Sequence, residues 1–501
     1  MKKIIISIII LGLLSLSSIG INAYKIGSDI PEEAWYPIHG DNGPFDGYTL
    51  FAPMYGKITY LINNDGKIVH TWISEHIMAL GISLLENGNL IRSCATDFDL
   101  RILLGGKSGA VEMFDWNGSL IWEFQYSGKT YCMHNDIEVL PNGNVLMTIW
   151  EKKTNEEAVA AGCDPDLILP RGFWIDHIIE VEPTFPSGGN IVWEWHVWDH
   201  MIQDFDATKE NYGVVGAHPE LVDINFKDNG RPPDWGGTDV LHINSVDYNE
   251  TFDQILLSLR ALNEIWVIDH STTTEEAAGH TGGNSGKGGD ILYRWGNPQV
   301  YRKGDADDQK LFTQHDVRWI ESGCPGKGHI SIFNNGLGRP DGNYSSVLEI
   351  VPPVDSNGNY YLKSNSAYGP EEPVWTYTAE NPTDFYSPHL SSARRLPNGN
   401  TLICEGEDGH FFEVTPQKEI VWQYVNLFPL PVPGINIVFK AQRYPLDYPG
   451  IGETSTNIIS EMAETQNTLA TTTPTSMPAT TTTTVTSTAT TNKSTSLPTS
   501  K

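Results

Sequence analysis

His134-Asn135-Asp136-Ile137-Glu138-Val139-Leu140-Pro141-Asn142-Gly143-Asn144-Val145-Leu146 is the stretch that decides the fold. An apolar run leads into Asn-Gly and a second apolar run leaves it. This is the pattern of two antiparallel strands joined by a tight turn, since both central residues of an Asn-Gly tip can take positive φ. The unit returns as His389-Leu390-Ser391-Ser392-Ala393-Arg394-Arg395-Leu396-Pro397-Asn398-Gly399-Asn400-Thr401-Leu402 and as Leu84-Leu85-Glu86-Asn87-Gly88-Asn89-Leu90-Ile91, with degenerate copies over 246–257 and 317–332.

Alternating with it is a shorter strand that follows an acidic residue or turn and ends in tryptophan. Asp65-Gly66-Lys67-Ile68-Val69-His70-Thr71-Trp72 and Asp115-Trp116-Asn117-Gly118-Ser119-Leu120-Ile121-Trp122 are the plainest copies, and Trp193, Trp295, Trp375 and Trp422 close four more. Two hairpin-forming elements per unit give four strands, and six units over residues 51–450 average about 70 residues each. The expected fold is therefore all-β, a six-bladed β-propeller of four-stranded antiparallel blades, with the repeated tryptophan packed between neighbours. The strand near residues 48–51 is expected to close the ring.

Composition narrows the function. Lys plus Arg number 32 against 62 Asp plus Glu, a formal charge of −30, which excludes a general phosphate-tracking nucleic-acid partner. The five cysteines (Cys94, Cys132, Cys163, Cys324, Cys404) include no CxxC, so neither a zinc ribbon nor a dense disulfide framework is indicated.

Both ends differ from the repeats. Lys2 and Lys3 precede an apolar stretch over 4–14 and a run rich in small residues ending at Ala23, the pattern of a secretory signal peptide over 1–23. A short extension, 24–50, leads to the propeller. Residues 461–501 are nearly all Thr, Ser, Ala and Pro, a composition that cannot bury enough apolar surface to order itself, and they read as a disordered tail suited to association with the cell envelope. The expected location is secreted, extracellular or at the envelope.

A propeller scaffold does not specify chemistry, so function must come from what the repeats bring to the axis. His134, His242, His315 and His389 each stand at the start of the strand leading into the second hairpin, in four successive units. Arg260 adds to them. A turn centred near Thr251 leaves His242 and Arg260 each nine residues from its tip, so the hairpin returns them side by side. A forked guanidinium beside an imidazole suits a tetrahedral oxyanion such as sulfate or phosphate.

The ordered set of His134, His242 followed eighteen residues later by Arg260, and His315 within Thr313-Gln314-His315-Asp316-Val317 resembles the aryl-sulfate sulfotransferase (arylsulfotransferase) family of secreted microbial propeller enzymes, over most of residues 40–450. The resemblance implies ping-pong transfer of a sulfuryl group from a phenolic sulfate ester to a phenol, without a nucleotide sulfate donor, cofactor or metal. It implies that His315 is the nucleophile and forms a transient sulfohistidine. His134, His242 and Arg260 would hold the sulfuryl oxygens, with one histidine protonating the leaving phenoxide. His389 shares the repeat position and is a substrate-binding candidate without a motif of its own. The family's better-known members carry an N-terminal β-sandwich, whose place here is taken by the short extension.

Trp195, Trp198, His200, Phe385 and Tyr386 are candidate walls for a phenol, although inter-blade packing is the simpler account of each. His196, His200 and His218 lack the spacing of a metal motif. The rival from another class is a non-catalytic surface propeller binding anionic or sulfated ligands. Four convergent groups favour catalysis over it, because Arg or Lys alone would satisfy anion binding.

Overall fold

The computed structural model describes residues 43–96, 105–168, 172–226, 239–426, 428 and 436–451. The signal peptide, the extension up to residue 42 and the Thr/Ser-rich tail lie outside the described residues.

Six four-stranded antiparallel sheets make the propeller. Blade 1 contains β1 (Gly47–Pro53), β2 (Ile58–Asn63) and β3 (Ile68–Ile73). Blade 2 is β4 (Ile77–Leu84), β5 (Leu90–Ala95), β6 (Ala110–Phe114) and β7 (Leu120–Gln125). Blade 3 is β8 (Tyr131–Val139), β9 (Val145–Lys153), β10 (Phe173–Pro183) and β11 (Gly189–His196), followed by a small parallel pair, β12 (Met201–Ile202) and β13 (Val222–Asp223). Blade 4 is β14 (Ile243–Asn249), β15 (Gln254–Leu259), β16 (Glu264–Asp269) and β17 (Tyr293–Trp295). Blade 5 is β18 (His315–Trp319), β19 (Ile330–Asn334), β20 (Ser346–Ile350) and β21 (Trp375–Tyr377). Blade 6 is β22 (Ser392–Arg395), β23 (Thr401–Glu405), β24 (His410–Val414) and β25 (Ile420–Val425). The last strand, β26 (Val438–Pro445), pairs with β1 from Gly47↔Pro445 to Pro53↔Val438 and completes blade 1, so the ring closes where the sequence reading placed it.

The Asn-Gly tips are built differently from the sequence expectation. Leu140 O accepts from Gly143 N at 2.9 Å and Leu140 N donates to Asn144 O at 2.9 Å, and Gly143 alone takes positive φ (88°). The turn starts one residue before the dipeptide, so Pro141 and Asn142 are its centres, and Pro141, with φ fixed near −65°, suits the first of them. The result is a type I turn followed by a glycine bulge. The turns at 85–89, 115–119 and 396–400 have the same bonds, with Gly88, Gly118 and Gly399 in the left-handed position. In the turn at 415–419 of blade 6 that position falls to exposed Lys418, at φ 73°.

Each of the six repeated tryptophans lies on the outermost strand of its blade, and each indole N–H reaches the next blade. Trp72 donates to Asp115 O (3.1 Å), Trp122 to Gly188 O (2.8 Å) and Trp193 to the Thr272 hydroxyl (3.1 Å). Trp295 donates to Pro370 O (2.8 Å), Trp375 to Pro416 O (3.0 Å) and Trp422 back to Asn64 O in blade 1 (2.8 Å). The ring buries apolar surface between blades while the N–H satisfies an acceptor that would otherwise be lost to solvent, which explains why tryptophan recurs.

The axis is filled by charge. Arg318 of β18 is ion-paired with Asp136 of β8, with Glu138 at 2.7 Å, with Asp316 at 3.2 Å and with Asp247 of β14 at 3.3 Å. Lys440 of β26 also meets Asp136, and Arg394 of β22 stands 3.4 Å from Asp316. Five blades are thus tied through buried ions, in an arrangement where removing one partner leaves an uncompensated charge. None of the five cysteines is joined in a disulfide.

Candidate active site

Five of the six innermost strands bulge, β22 being regular, and three of those bulges lie at site histidines. On β8 the register runs from Met133 opposite Ile149 to Ile137 opposite Met147, four steps against two. On β18 it runs from His315 opposite Phe333 to Arg318 opposite Ser331, three against two, and on β14 from Ile243 opposite Leu259 to Ser245 opposite Ser258. β4 has a similar bulge between Met78 and Ile82. Bulges bend a strand and re-aim its side chains. Left-handed backbone at Asn135 (φ 47°), His242 (φ 55°) and Asp316 (φ 44°) marks the bends. Such residues cost roughly 1–2 kcal/mol each and persist where packing holds them.

His315 opens β18 and is 3% exposed. Its Nδ1 lies 2.8 Å from Asn335 Oδ1 and 3.1 Å from Thr313 O, both acceptors, so this nitrogen carries the proton. Nε2 is then the lone-pair nitrogen, and it accepts a long 3.3 Å bond from Leu390 N–H. Burial, and then the Arg260 charge with smaller effects of His242 and His389, holds this imidazole well below its usual pKa, against an opposing effect of Asn335. The ring is therefore neutral and nucleophilic at neutral pH.

The hairpin β14–β15 brings His242 and Arg260 together as the spacing predicts, with Arg260 N donating to His242 O at 3.1 Å. His242 Nδ1 faces Asp239 Oδ2 at 2.6 Å, an imidazole–carboxylate pair that can hold or release a proton at Nε2. The Arg260 guanidinium is buried, and desolvation, partly offset by Asp239, brings it down to about 10, leaving it a cation. Its charge lowers the pKa of both His315 and His389.

His134 is set back from these groups. Its ring is fully buried, stacks on Trp150 at 4.0 Å, and has Asp176 Oδ1 2.8 Å from Nε2. The Asn135 amide lies 2.9 Å from His134 Nδ1 and 3.5 Å from His242 Nε2, and so stands between the two histidines. Burial pushes His134 down to about 3, against a smaller opposing effect of Asp239. His389 is the most open of the four, three residues before β22, with its Nδ1 3.9 Å from Glu407 and its pKa lowered by burial and by Arg260.

Of the proposed phenol walls, Trp195 is fully buried and donates to Gly289 O, and Phe385 packs against Phe333, Tyr377 and Phe412. Both are packing residues. A surface cleft of about 680 Å³ among Trp295, Tyr361, Lys363 and Tyr368 contains none of the site histidines. Asn335, Asp239, Asp176, Asn135 and the Leu390 amide were not singled out by the sequence reading. Asn135 was open to discovery as the immediate neighbour of His134, whereas Asn335 belongs to a hairpin arm with no motif.

The arylsulfotransferase (ASST) family profile matches residues 41–427. Arylsulfate sulfotransferase AssT of Escherichia coli O6:H1 (strain CFT073) is 26% identical over 330 residues, 60% of this chain and 49% of that protein. The AssT of Lelliottia amnigena is 24% identical over 422 residues, 77% of this chain and 64% of that protein. The chain thus spans about half to somewhat under two thirds of these relatives' length. A crystal structure of a Bacteroides caccae protein of unknown function covers 79% of this chain and 98% of its own at 12% identity, with a TM-score of 0.42.

Proposed function

The chain belongs to the arylsulfotransferase family, and on that premise we propose that it transfers a sulfuryl group from a phenolic sulfate ester to a phenolic acceptor by a ping-pong reaction through His315, with no nucleotide sulfate donor. The observation that carries this reading is the buried His315, whose Nδ1 proton is committed to Asn335, whose Nε2 lone pair faces the Leu390 N–H, and whose pKa is held down by burial and by the Arg260 charge. Nε2 attacks sulfur, the sulfur–aryl oxygen bond breaks, and the phenoxide leaves with a proton from His242 Nε2. The acceptor phenol then gives its proton back to His242 as its oxygen attacks sulfur and the nitrogen–sulfur bond breaks. Splitting the transfer this way lets donor and acceptor use one site in turn.

Arg260 and the Leu390 amide supply positive donors for the sulfuryl oxygens. An N–H that lies 3.3 Å from the attacking nitrogen is well placed for an oxygen on the sulfur bound there. Asp239 keeps His242 oriented and stabilises its protonated form. His134 braces Asn135 and, through it, His242, a role one step removed from the sulfuryl group. The leader-like N-terminus supports placing the enzyme outside the cytoplasm.

The experiment is a nucleotide-free assay with p-nitrophenyl sulfate and excess phenol, followed by mass analysis of the peptide containing His315 after exposure to donor alone. Phenol-dependent nitrophenol release with a sulfuryl-sized adduct on that peptide is the expected result, and His315→Asn should lose both. No release and no adduct with several aryl sulfates would favour a surface propeller that binds anions without turnover.

A further inference from the structure

Outside the axis, three side chains from distant parts of the chain converge. His200 follows β11 of blade 3, while His280 and Asp290 flank the glycine-rich stretch 281–289 within the connection between β16 and β17 of blade 4. His200 Nδ1 is 2.9 Å and His280 Nδ1 2.7 Å from the same oxygen, Asp290 Oδ1. The His200 ring is wholly buried and the Asp290 side chain is 10% exposed, while that of His280 is 59% exposed, so the cluster is rooted in protein and open on one side.

The proton count is informative. His200 Nε2 lies 2.8 Å from Ala277 O, an acceptor only, so Nε2 carries hydrogen and Nδ1 presents a lone pair toward a carboxylate oxygen. That contact needs either a second proton or a shared Lewis acid. A back-side N–H donated to a main-chain carbonyl is what fixes the tautomer of a metal-ligating histidine. The three ligand atoms, His200 Nδ1, His280 Nδ1 and an Asp290 carboxylate oxygen, all lie within 4.8 Å of one another, close enough to share one ion. The connection is also tightly seated: a Cβ on Gly289 would stand 2.6 Å from His200 Nε2.

Two other clusters among the described residues are poorer candidates. His177 and His196, near Glu151, stack with planes only 10° apart, so their lone pairs cannot share an ion, and Lys153 already neutralises Glu151 at 2.9 Å. His76, Cys94 and Glu112 surround a carboxylate that has buried Arg92 3.6 Å away.

We propose that His200, His280 and Asp290 form a structural binding site for one divalent cation of the zinc class, with water completing a four-coordinate shell on the exposed side. Two imidazoles and one carboxylate match the donor preference of Zn²⁺, and the ligands need to spread by about half an ångström to reach its bond lengths. The ion clamps the blade 4 connection against blade 3, where Trp195 and His200 already hold it, and takes no part in sulfuryl transfer.

The test uses the full chain, stripped with chelator and titrated with ZnCl₂ by calorimetry, with Co²⁺ visible absorption as a second readout. Expected are one Zn²⁺ per chain, four-coordinate Co²⁺ bands, and a higher Tm with metal. His280→Ala, on an exposed side chain, should fold normally, weaken binding at least tenfold and lose the Co²⁺ bands, as should Asp290→Asn, while His196→Ala keeps both. The proposal is overturned if the wild-type chain takes up no stoichiometric metal, if His280→Ala binds as well as wild type, or if His196→Ala removes the binding instead.

Discussion

His315 Nδ1 and Asn335 Oδ1 stand 2.8 Å apart, and this contact decides which nitrogen of the ring is free to attack. Asn335 is itself fixed, its amide donating to Ser387 O at 2.8 Å and Leu390 O at 2.9 Å. Removing it frees the imidazole to rotate and to take the other tautomer. Asn335→Ala is expected to lower kcat about 10- to 100-fold, the range seen when a group that fixes the tautomer of a metal-bound histidine is removed, with a smaller change in donor KM. Steady-state kinetics on a variant with native circular dichroism would show it, and an unchanged kcat would remove Asn335 from the mechanism.

Arg260 sets the acid limit of the reaction. The His315 pKa is depressed first by burial and next by the Arg260 charge, so wild-type activity should fall only well below pH 6.5 as His315 takes up a proton. Arg260→Gln should lower the rate and also move the acid limb of the kcat/KM profile to higher pH. His389→Ala should move it the same way by less, because His389 is the weakest of the contributing charges. A rate loss with no movement of the limb would mean that Arg260 binds substrate without tuning the nucleophile.

His270 should make stability depend on pH. Burial alone would push its pKa down, but its contacts with Asp253 (2.7 Å) and Glu180 (2.9 Å) bring it up to about 9. Glu180, despite its burial, and Asp253 both lie below the usual carboxylate range. With the folded pKa above the unfolded value, the contribution is complete below about pH 6.5 and is lost as pH rises through about 9. His270→Gln should cost on the order of 2 kcal/mol at pH 6, discounted for the partial exposure of Asp253, and almost nothing near pH 10. Denaturant titrations across that range decide it, and a pH-independent cost would point to packing against Trp193 instead.

Lys418 occupies the left-handed turn position that glycine fills in the equivalent turns of other blades. Its side chain is exposed, so little packing is at stake. Lys418→Gly should stabilise the protein by about 0.5–1 kcal/mol, the relief of positive φ exceeding the extra entropy of the unfolded glycine. A drop in Tm would show that the turn holds Lys418 by contacts worth more than the strain.

The periodic features were legible in the sequence and the paired ones were not. Trp72 through Trp422 announce six blades because each repeats one local solution, an indole reaching a neighbouring backbone group. His242 and Arg260 could be placed together because one hairpin governs both, although the bulge that completes their register could not be read. Asn335 and Asp239 have meaning only beside His315 and His242, and nothing in their own neighbourhoods marks them. The same holds for Arg318 and Asp136, 182 positions apart, and for His200 and Asp290, 90 positions apart. The Asn-Gly turn type differs from the expectation because the turn starts one residue earlier and the glycine becomes the bulge, with Pro141, Glu86 or Trp116 alike at the first centre.

The pairing of β26 with β1 also fixes when the protein can exist. During synthesis the first three strands of blade 1 emerge early and wait, with Thr49 lacking its partner Arg443 until almost four hundred further residues have been made. Until then β1 presents an open edge, able to pair with another copy of itself. Folding is thus expected to finish in one late step whose rate is set by bringing the chain's two ends together. A chain stopped before residue 438 would be a row of blades with two raw edges, while one stopped just past residue 451 would have every strand of the ring.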